Sequence, residues 1–235
     1  MAKEEGAPTT PQWKLRRLAA RTIKVYGRHR AASGAIAAYE GSLIPSATTY
    51  VGTYDAAARY QPKWRKEMDE GKGAMLALDT AIGAWKPHLA RELPGLDLTT
   101  IGDKPTVPED LVEDGFRLSE AFGEVKGADG ATPGWASEAS TQLDTLSQTA
   151  ERETDEAADA DSKLAELLAA VRTSGAAFEK NLSLFRKTLR SVLGRSHPDF
   201  QKLRAEKASS KDDDDDPGAP QPSPPVTPAP TPPAA

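Results

Sequence analysis

Apolar residues recur at alternating intervals of three and four along most of this chain, and that spacing limits its fold more than any other feature. The first run consists of Leu15, Leu18, Thr22, Val25, His29, Ala32, Ile36, Tyr39 and Leu43. Because an α-helix turns once every 3.6 residues, this spacing places the run along one side of a helix. It predicts a first helix that ends near Gly41 and Pro45.

A second run keeps the same spacing and crosses a proline without losing its phase. Its members are Tyr50, Tyr54, Ala57, Gln61, Trp64, Met68, Gly71, Met75, Leu78, Ile82, Trp85 and Leu89. It predicts one long second helix with bends near Pro62 and Pro87, because proline lacks the amide hydrogen that an interior helical bond requires. Gly71, Gly73 and Gly83 either weaken this helix or permit a neighbouring helix to approach closely.

Two further helices are predicted after a segment rich in turn-forming residues, 93–108. The third covers about 109–125, with Pro108 in its first turn, where a missing amide hydrogen costs least. The fourth is the longest, and its apolar positions extend from Leu143 to Val192. Small residues between Ala150 and Ala160 predict close packing or partial exposure there.

These patterns predict an all-α fold, an elongated antiparallel four-helix bundle with one shorter helix. We expect a flexible N-terminus at 1–11, the helical bundle at 12–207 and a disordered tail at 208–235. The tail begins with the like charges of Asp212–Asp216 and continues into a run rich in proline and alanine, a composition typical of disorder. In such a bundle the start of the first helix and the end of the fourth would lie at the same end.

Composition limits the function further. Apolar residues make up 38% of the chain and charged residues 28%, with a net charge of -5, which suits long helices that are half exposed to water. The absence of cysteine excludes disulfides and thiolate metal sites. The sequence has no signal-peptide core and no apolar stretch of membrane-spanning length. It therefore predicts a cytoplasmic protein, and its usage of alanine and arginine is typical of bacteria.

Basic residues are concentrated near both ends of the predicted bundle. No acidic residue occurs between Gly6 and Tyr39. The antiparallel arrangement predicts one anion-binding end formed by Arg17, Arg21, Lys24, Arg28, Arg186, Lys187 and Arg190. Its ligand would be nucleic acid, an acidic partner, or the chain's own Asp212–Asp216, which could mask it. The alternative is that these charges only solvate helix faces.

Sequence signatures of catalysis are absent. The three histidines have no glutamate three residues before them, and no His-Glu-x-x-His, phosphate-binding glycine loop or Gly-x-Ser-x-Gly occurs. These absences predict a non-enzymatic protein with no cofactor and no metal.

Other polar and aromatic positions have structural interpretations. We interpret the carboxylates of Glu151, Asp155 and Asp159, spaced four apart, as a solvated helix face. His29 lies on the apolar side of the first helix and is predicted to be a hydrogen-bonded interior group. Trp64 and Trp85 share one helical stripe and are predicted to anchor the core.

A basic helix followed by His197-Pro198-Asp199 resembles the centre of a J-domain, which would imply a co-chaperone of Hsp70. The resemblance is disfavoured because Phe185-Arg186-Lys187 lies about one turn too far upstream. The helix after the tripeptide would also be too short, since the tail begins near Ser209. Helix capping explains the same residues: Gly194 ends the long helix, Ser196 caps a short one, and Pro198 lies in its first turn.

The chain also resembles bacterial long-helix bundle proteins of unknown role in its ending, Leu189-Arg190, Gly194, Ser196 and Phe200. That resemblance implies an all-α bundle with no assigned activity. With the coiled-coil-like stripes, it favours a non-enzymatic interaction or scaffold protein that binds a protein partner or itself. The alternative function is an anion-binding module whose basic end the acidic tail masks. Nucleic acid is the less favoured partner, because the basic stripe lacks interleaved aromatic residues.

Overall fold

The computed structural model describes residues 10–95, 98, 101 and 108–204, and within them every regular element is a helix. The six helices are α1 Thr10–His29, α2 Gly34–Ala37, α3 Leu43–Glu92, α4 Pro108–Glu124, α5 Gly134–Leu193 and α6 Pro198–Lys202. The all-α prediction is therefore confirmed. The predicted tail, and most of the predicted N-terminal segment, lie outside the described residues. The helices belong to one compact unit, Met1–Leu203, and Arg204 is the only described residue of a second unit, Arg204–Ala235.

An antiparallel pair of long helices forms the frame of the molecule. α3 has 50 residues and α5 has 60, which corresponds to lengths of about 75 and 90 Å. Asn181 of α5 donates to Ser46 Oγ at the start of α3, and Gln142 accepts from Trp85 near its end. The single long second helix predicted from the sequence is confirmed, with Pro62 and Pro87 inside it.

A third helix packs on each half of this frame. Buried hydrophobic residues form two clusters, one around Tyr50, Phe178 and Phe185 and the other around Leu78 and Phe122. α1 contributes to the first cluster and α4 to the second. Each half of the frame thus contains three helices, because α1 and α4 lie on opposite halves of the pair.

The directions of the helices differ from the prediction at one point. Leu15 lies beside Gly175, while His29 at the end of α1 contacts Asp199 beyond the end of α5. α1 is therefore parallel to α5, and its end, not its start, lies where the chain leaves α5. The reason is that α4 runs in the same direction as α3: Leu78 packs beside Gly115, and Trp85 against Phe122.

The connection before α4 explains that direction. It does not reverse the chain as a short turn would, since α4 must begin again near the middle of α3. Leu98 and Ile101 on this connection are buried in the second cluster, and Lys86 Nζ donates to the carbonyl oxygen of Ile101. Of the described residues of this connection, Leu98 and Ile101 therefore pack into the second cluster, and Ile101 contacts the end of α3.

The first helix is shorter than predicted. α1 ends at His29, and the chain reverses through α2 before α3 begins at Leu43, so Pro45 lies in the first turn of α3 and does not close the first helix. Ser33 and Gly34 have low helix propensity, and the reversal buries Ile36 and Leu43 completely. Burial of these apolar side chains favours the turn over a continued, exposed helix.

Small residues set the distances between helices. A Cβ atom at Gly71 would lie 3.1 Å from the carbonyl oxygen of Glu153 and 3.3 Å from Ala157 Cβ. Close packing, one of the two alternatives predicted for the segment between Ala150 and Ala160, occurs at this contact. Gly115 of α4 is similarly enclosed by Ser147 and Leu78. None of the described helices is long and apolar enough to cross a membrane.

Candidate functional site

The basic residues of α1 lie on one exposed face. Arg17, Arg21, Lys24 and Arg28 are spaced four, three and four apart on a continuous helix and are all exposed. The opposite face of α1 is buried, with Ala19, Val25 and Tyr26 in the first cluster. The predicted basic stripe therefore exists as a surface, and the apolar side of the same helix is used for folding.

Most cations of this stripe form no ion pair with any residue that the structure describes. Within the described part of the chain, no carboxylate pairs with Arg17, Arg21 or Lys24, whereas Arg28 Nη1 donates to Asp199 Oδ1 at 3.1 Å. The guanidinium of Arg17 lies 4.7 Å from the ring centre of Trp13, an exposed side chain. This geometry is a cation–π contact, which orders the arginine without neutralising it.

The basic residues of α5 lie at the same end of the bundle. Gly175 faces Tyr50 of α3 and Leu15 of α1, and Arg186 follows it about three turns later, on the same side of α5. Lys187 and Arg190 are exposed. We name the seven predicted residues of α1 and α5 the cationic surface. The structure brings them to one end of the bundle. The prediction relied on an antiparallel first and last helix, whereas in the structure α1 is parallel to α5 and its end lies near the end of α5.

Arg186 is the least solvated cation of the cationic surface. Its Nε and Nη2 atoms are buried and make no hydrogen bond within the described residues. Burial lowers the pKa of Arg186, while the negative charge of Glu179 opposes that change. A guanidinium stays protonated in proteins, so these atoms present unmatched donors, and a buried unmatched donor destabilises the fold until an acceptor reaches it.

A second polar cluster lies at the tip of this end, around Asp199. His29 Nε2 is 2.9 Å from Asp199 Oδ2, and Arg28 and Lys202 donate to Oδ1 at 3.1 and 3.2 Å. The hydrogen bond with His29 lowers the pKa of Asp199, as do the hydrogen bond and charge of Lys202, and burial opposes them. The prediction that His29 is a hydrogen-bonded interior group is confirmed.

The His-Pro-Asp tripeptide begins α6. His197 is the N-cap, and its Nδ1 accepts from the backbone amide of Asp199 at 3.2 Å. The prediction that Ser196 caps this helix is wrong by one position, because the imidazole reaches the free amide in place of the hydroxyl. Gly194 adopts φ +84° at the end of α5, which confirms its predicted role in ending that helix.

The acidic and aromatic positions behave as structural features. Glu151, Asp155 and Asp159 are all exposed, in agreement with a solvated helix face.

Trp64 and Trp85 are half-buried against the two clusters, and their indole nitrogens donate to Asp161 and Gln142 respectively. Their rings anchor packing at the rim of each cluster, with the polar edge directed to a partner on α5.

The cluster of His29, His197 and Asp199 was not singled out from the sequence. Its members come from α1 and from the segment around α6, so spacing along the chain carries no sign of their proximity. The one available signal was the position of His29 on an apolar helix side, where a buried imidazole needs a polar partner. Comparison with protein-family models, curated proteins and solved structures finds no match to this chain.

Proposed function

We propose that the protein is a non-enzymatic interaction module that binds an acidic protein partner through the cationic surface. The observation that carries this proposal is the α1 stripe, where Arg17, Arg21 and Lys24 are exposed and have no carboxylate partner within the described residues. Unpaired cations on one face attract an anionic surface and orient its approach.

The residue types on this surface favour a protein over a nucleic acid. Trp13 and Arg17 form an exposed pair at the start of the stripe, and tryptophan and arginine are the residues most enriched at the energetic centres of protein interfaces. Single-stranded nucleic acids need several aromatic platforms, whereas Trp13 is the only aromatic residue on the exposed side of α1.

Insertion into an anionic lipid surface is disfavoured by the packing of α1. A membrane-surface helix inserts its apolar face among lipid chains. In this protein that face is already buried, since Ala19 is fully enclosed and Val25 and Tyr26 are 3% and 4% exposed. Only the polar side of α1 is available to a partner.

Lys187 and Arg190 extend the proposed interface onto α5, where both side chains are exposed. As exposed charges they would contribute mainly to the rate of association. Arg186 precedes Lys187, but its Nε and Nη2 atoms are buried, so the proposal assigns it no direct contact with the partner.

The proposal is tested with a poly-glutamate peptide as the probe. We expect the triple variant R17E/R21E/K24E to bind it at least roughly tenfold more weakly than the native chain. The matched control is K63E/R65E/K72E, which makes the same change in net charge at exposed positions of α3 and should retain most of the affinity. Equal losses in the two variants would show that only net charge matters, and the proposal would be rejected.

Two further arms distinguish other partners. Duplex DNA and vesicles containing anionic lipid are titrated with the same native chain at the same salt concentration. Binding tighter than that of poly-glutamate would replace the acidic protein with a nucleic acid or a lipid surface. We retain the cytoplasm as the predicted compartment, and cell fractionation tests it.

A further inference from the structure

Three side chains of the types that bind transition metals meet at the tip of the bundle. His29 ends α1, His197 caps α6 and Asp199 lies in the first turn of α6. One donor atom from each lies within 4.8 Å of the other two. Two imidazoles and one carboxylate form a donor set that is common among metal sites with open coordination positions.

We propose that His29, His197 and Asp199 bind a divalent transition metal ion of the zinc type, with water completing its coordination. This site does not rest on the proposed function, although Arg28 of the cationic surface contacts its ligand Asp199. Imidazole nitrogen favours zinc, copper or nickel, whereas magnesium and calcium prefer oxygen ligands. The ligands come from two separate segments, so the ion would join the end of α1 to the segment that follows α5.

The spacing requires only small movements. Ligand atoms about 2.0–2.1 Å from a tetrahedral zinc ion are roughly 3.3 Å from one another. His29 Nε2 and Asp199 Oδ2 are 2.9 Å apart and would separate slightly as the ion replaces the proton between them. That proton moves to Nδ1 of the same ring. The widest separation, 4.8 Å at most, closes by rotation of side chains.

Asp199 is already held in the orientation that such a site needs. Arg28 and Lys202 both donate to Oδ1, which leaves Oδ2 to face the histidine. Hydrogen bonds to the second oxygen commonly orient a ligating carboxylate. Both cations also repel a divalent ion, but their side chains are 59% and 56% exposed, so water screens that repulsion.

His197 makes metal binding compete with the cap of α6. Its Nδ1 accepts from the amide of Asp199, so its neutral ring carries the proton on Nε2. Binding through Nδ1 displaces this amide, and binding through Nε2 moves the proton to Nδ1, which can then no longer accept. In either case metal binding breaks the capping hydrogen bond, and the backbone amide of Asp199 loses His197 Nδ1 as its acceptor.

Three single variants of the untagged 235-residue chain test the site. The chain has three histidines, of which His88 is exposed on α3 and serves as the matched control. H197N removes one ligand but keeps a residue that caps helices well, and H29N removes the second. After treatment with a chelator, zinc chloride is titrated calorimetrically into each protein.

We expect the native chain and H88N to bind one zinc ion with the same Kd, and H29N and H197N to bind more than about tenfold more weakly. Magnesium chloride should give no binding. Cobalt chloride should give the visible absorption bands of a nitrogen- and oxygen-ligated ion in the native chain but not in H197N. Circular dichroism verifies that each variant is folded.

Three results would overturn the proposal. They are no zinc binding by the native chain, equal affinity in H29N, H197N and H88N, or weakening in only one of the two cluster variants. Thermal unfolding gives an independent reading, because a ligand that binds only the folded state raises Tm. Zinc should raise the Tm of the native chain and H88N and leave that of H197N unchanged.

Discussion

His29 Nε2 lies 2.9 Å from Asp199 Oδ2, and this contact joins positions that are 170 residues apart in the chain. It connects the end of α1 to α6. The aspartate of the His-Pro-Asp tripeptide is therefore engaged in tertiary structure, where it also accepts from Arg28 and Lys202. The tripeptide begins a helix and holds that helix against α1.

The first prediction concerns the stability that Asp199 supplies. D199N keeps the size of the side chain but weakens three charge-assisted hydrogen bonds, two to the exposed Arg28 and Lys202 and one to the mostly buried His29. We expect the free energy of unfolding to fall by about 1–3 kcal/mol. Urea unfolding in the presence of a chelator measures it. The control D159N, on the exposed face of α5, should change it by less than about 0.5 kcal/mol.

The second prediction concerns pH. Arg16 donates to Asp55 at 2.6 and 3.1 Å, and this hydrogen bonding lowers the pKa of Asp55. A carboxylate with a lower pKa in the folded state stabilises that state above its unfolded-state pKa of about 3.9. The contribution is lost as the pH falls through the lower, folded-state pKa.

The variant D55N tests the direction of this change in stability with pH. Because both side chains are about a third exposed, we expect the pair to contribute no more than about 1 kcal/mol at neutral pH. The native chain should be more stable than D55N at pH 7, and the difference should shrink below about pH 4. A difference that grows in acid would contradict the assignment. D69N, an exposed position of α3, is the control.

The third prediction concerns packing between α4 and its neighbours. A methyl group at Gly115 would collide with Ser147 Oγ and Leu78, while one at Gly123 of the same helix would meet open space. We expect G115A to lower the free energy of unfolding by about 1–3 kcal/mol. G123A should raise it by up to about 1 kcal/mol, since alanine favours helix. Equal effects would mean that α4 does not approach α5 closely at Gly115.

The fourth prediction tests the hypothesis that the acidic segment masks the cationic surface. Replacing the five aspartates of Asp212–Asp216 with asparagine removes five negative charges and keeps the chain length. If this run competes with an acidic partner, the variant binds poly-glutamate more tightly at low salt, and the gain disappears at high salt. If the aspartate replacement raises the affinity for poly-glutamate equally in a chain that also carries R17E/R21E/K24E, the acidic run does not compete at Arg17, Arg21 and Lys24.

The fifth prediction tests self-association, which stays a prediction from the helical stripes. Leu76 is 67% exposed, the most of any large hydrophobic side chain described, and it lies beside the small residues Gly73 and Ala77 on α3. We expect light scattering at high protein concentration to give a mass above 25.1 kDa and L76E to restore the monomer mass. L184E, on α5, is the control and should not.

The helical fold is predictable from the sequence because its apolar positions follow the helical repeat. The long second helix, its two internal prolines and the helix that begins at Pro108 all agree with the structure. The path of the chain is less predictable. Ile36 and Leu43 continue the apolar spacing of the first helix, yet they are buried in a reversal of the chain. Spacing identifies which side chains are buried, but it does not determine whether a helix continues between them.

The cationic surface was predictable in composition but not in arrangement. The absence of acids near α1 and the four-three-four spacing of its basic residues identify an exposed stripe. The direction of α1 relative to α5 depends on the connection before α4, whose residues Leu98 and Ile101 pack along α3. The contacts of His29 with Asp199, and the unmatched donors of Arg186, arise only from tertiary structure.

From the two buried clusters we expect two regions of the molecule that open separately. α3 and α5 pass through both, whereas α1 and α4 each support only one. Opening of one cluster removes packing locally and leaves the other intact. Amide hydrogens along α5 should therefore exchange in two separate groups with different protection. Substitutions could then loosen the end that carries α4 while the end that carries the cationic surface keeps its shape.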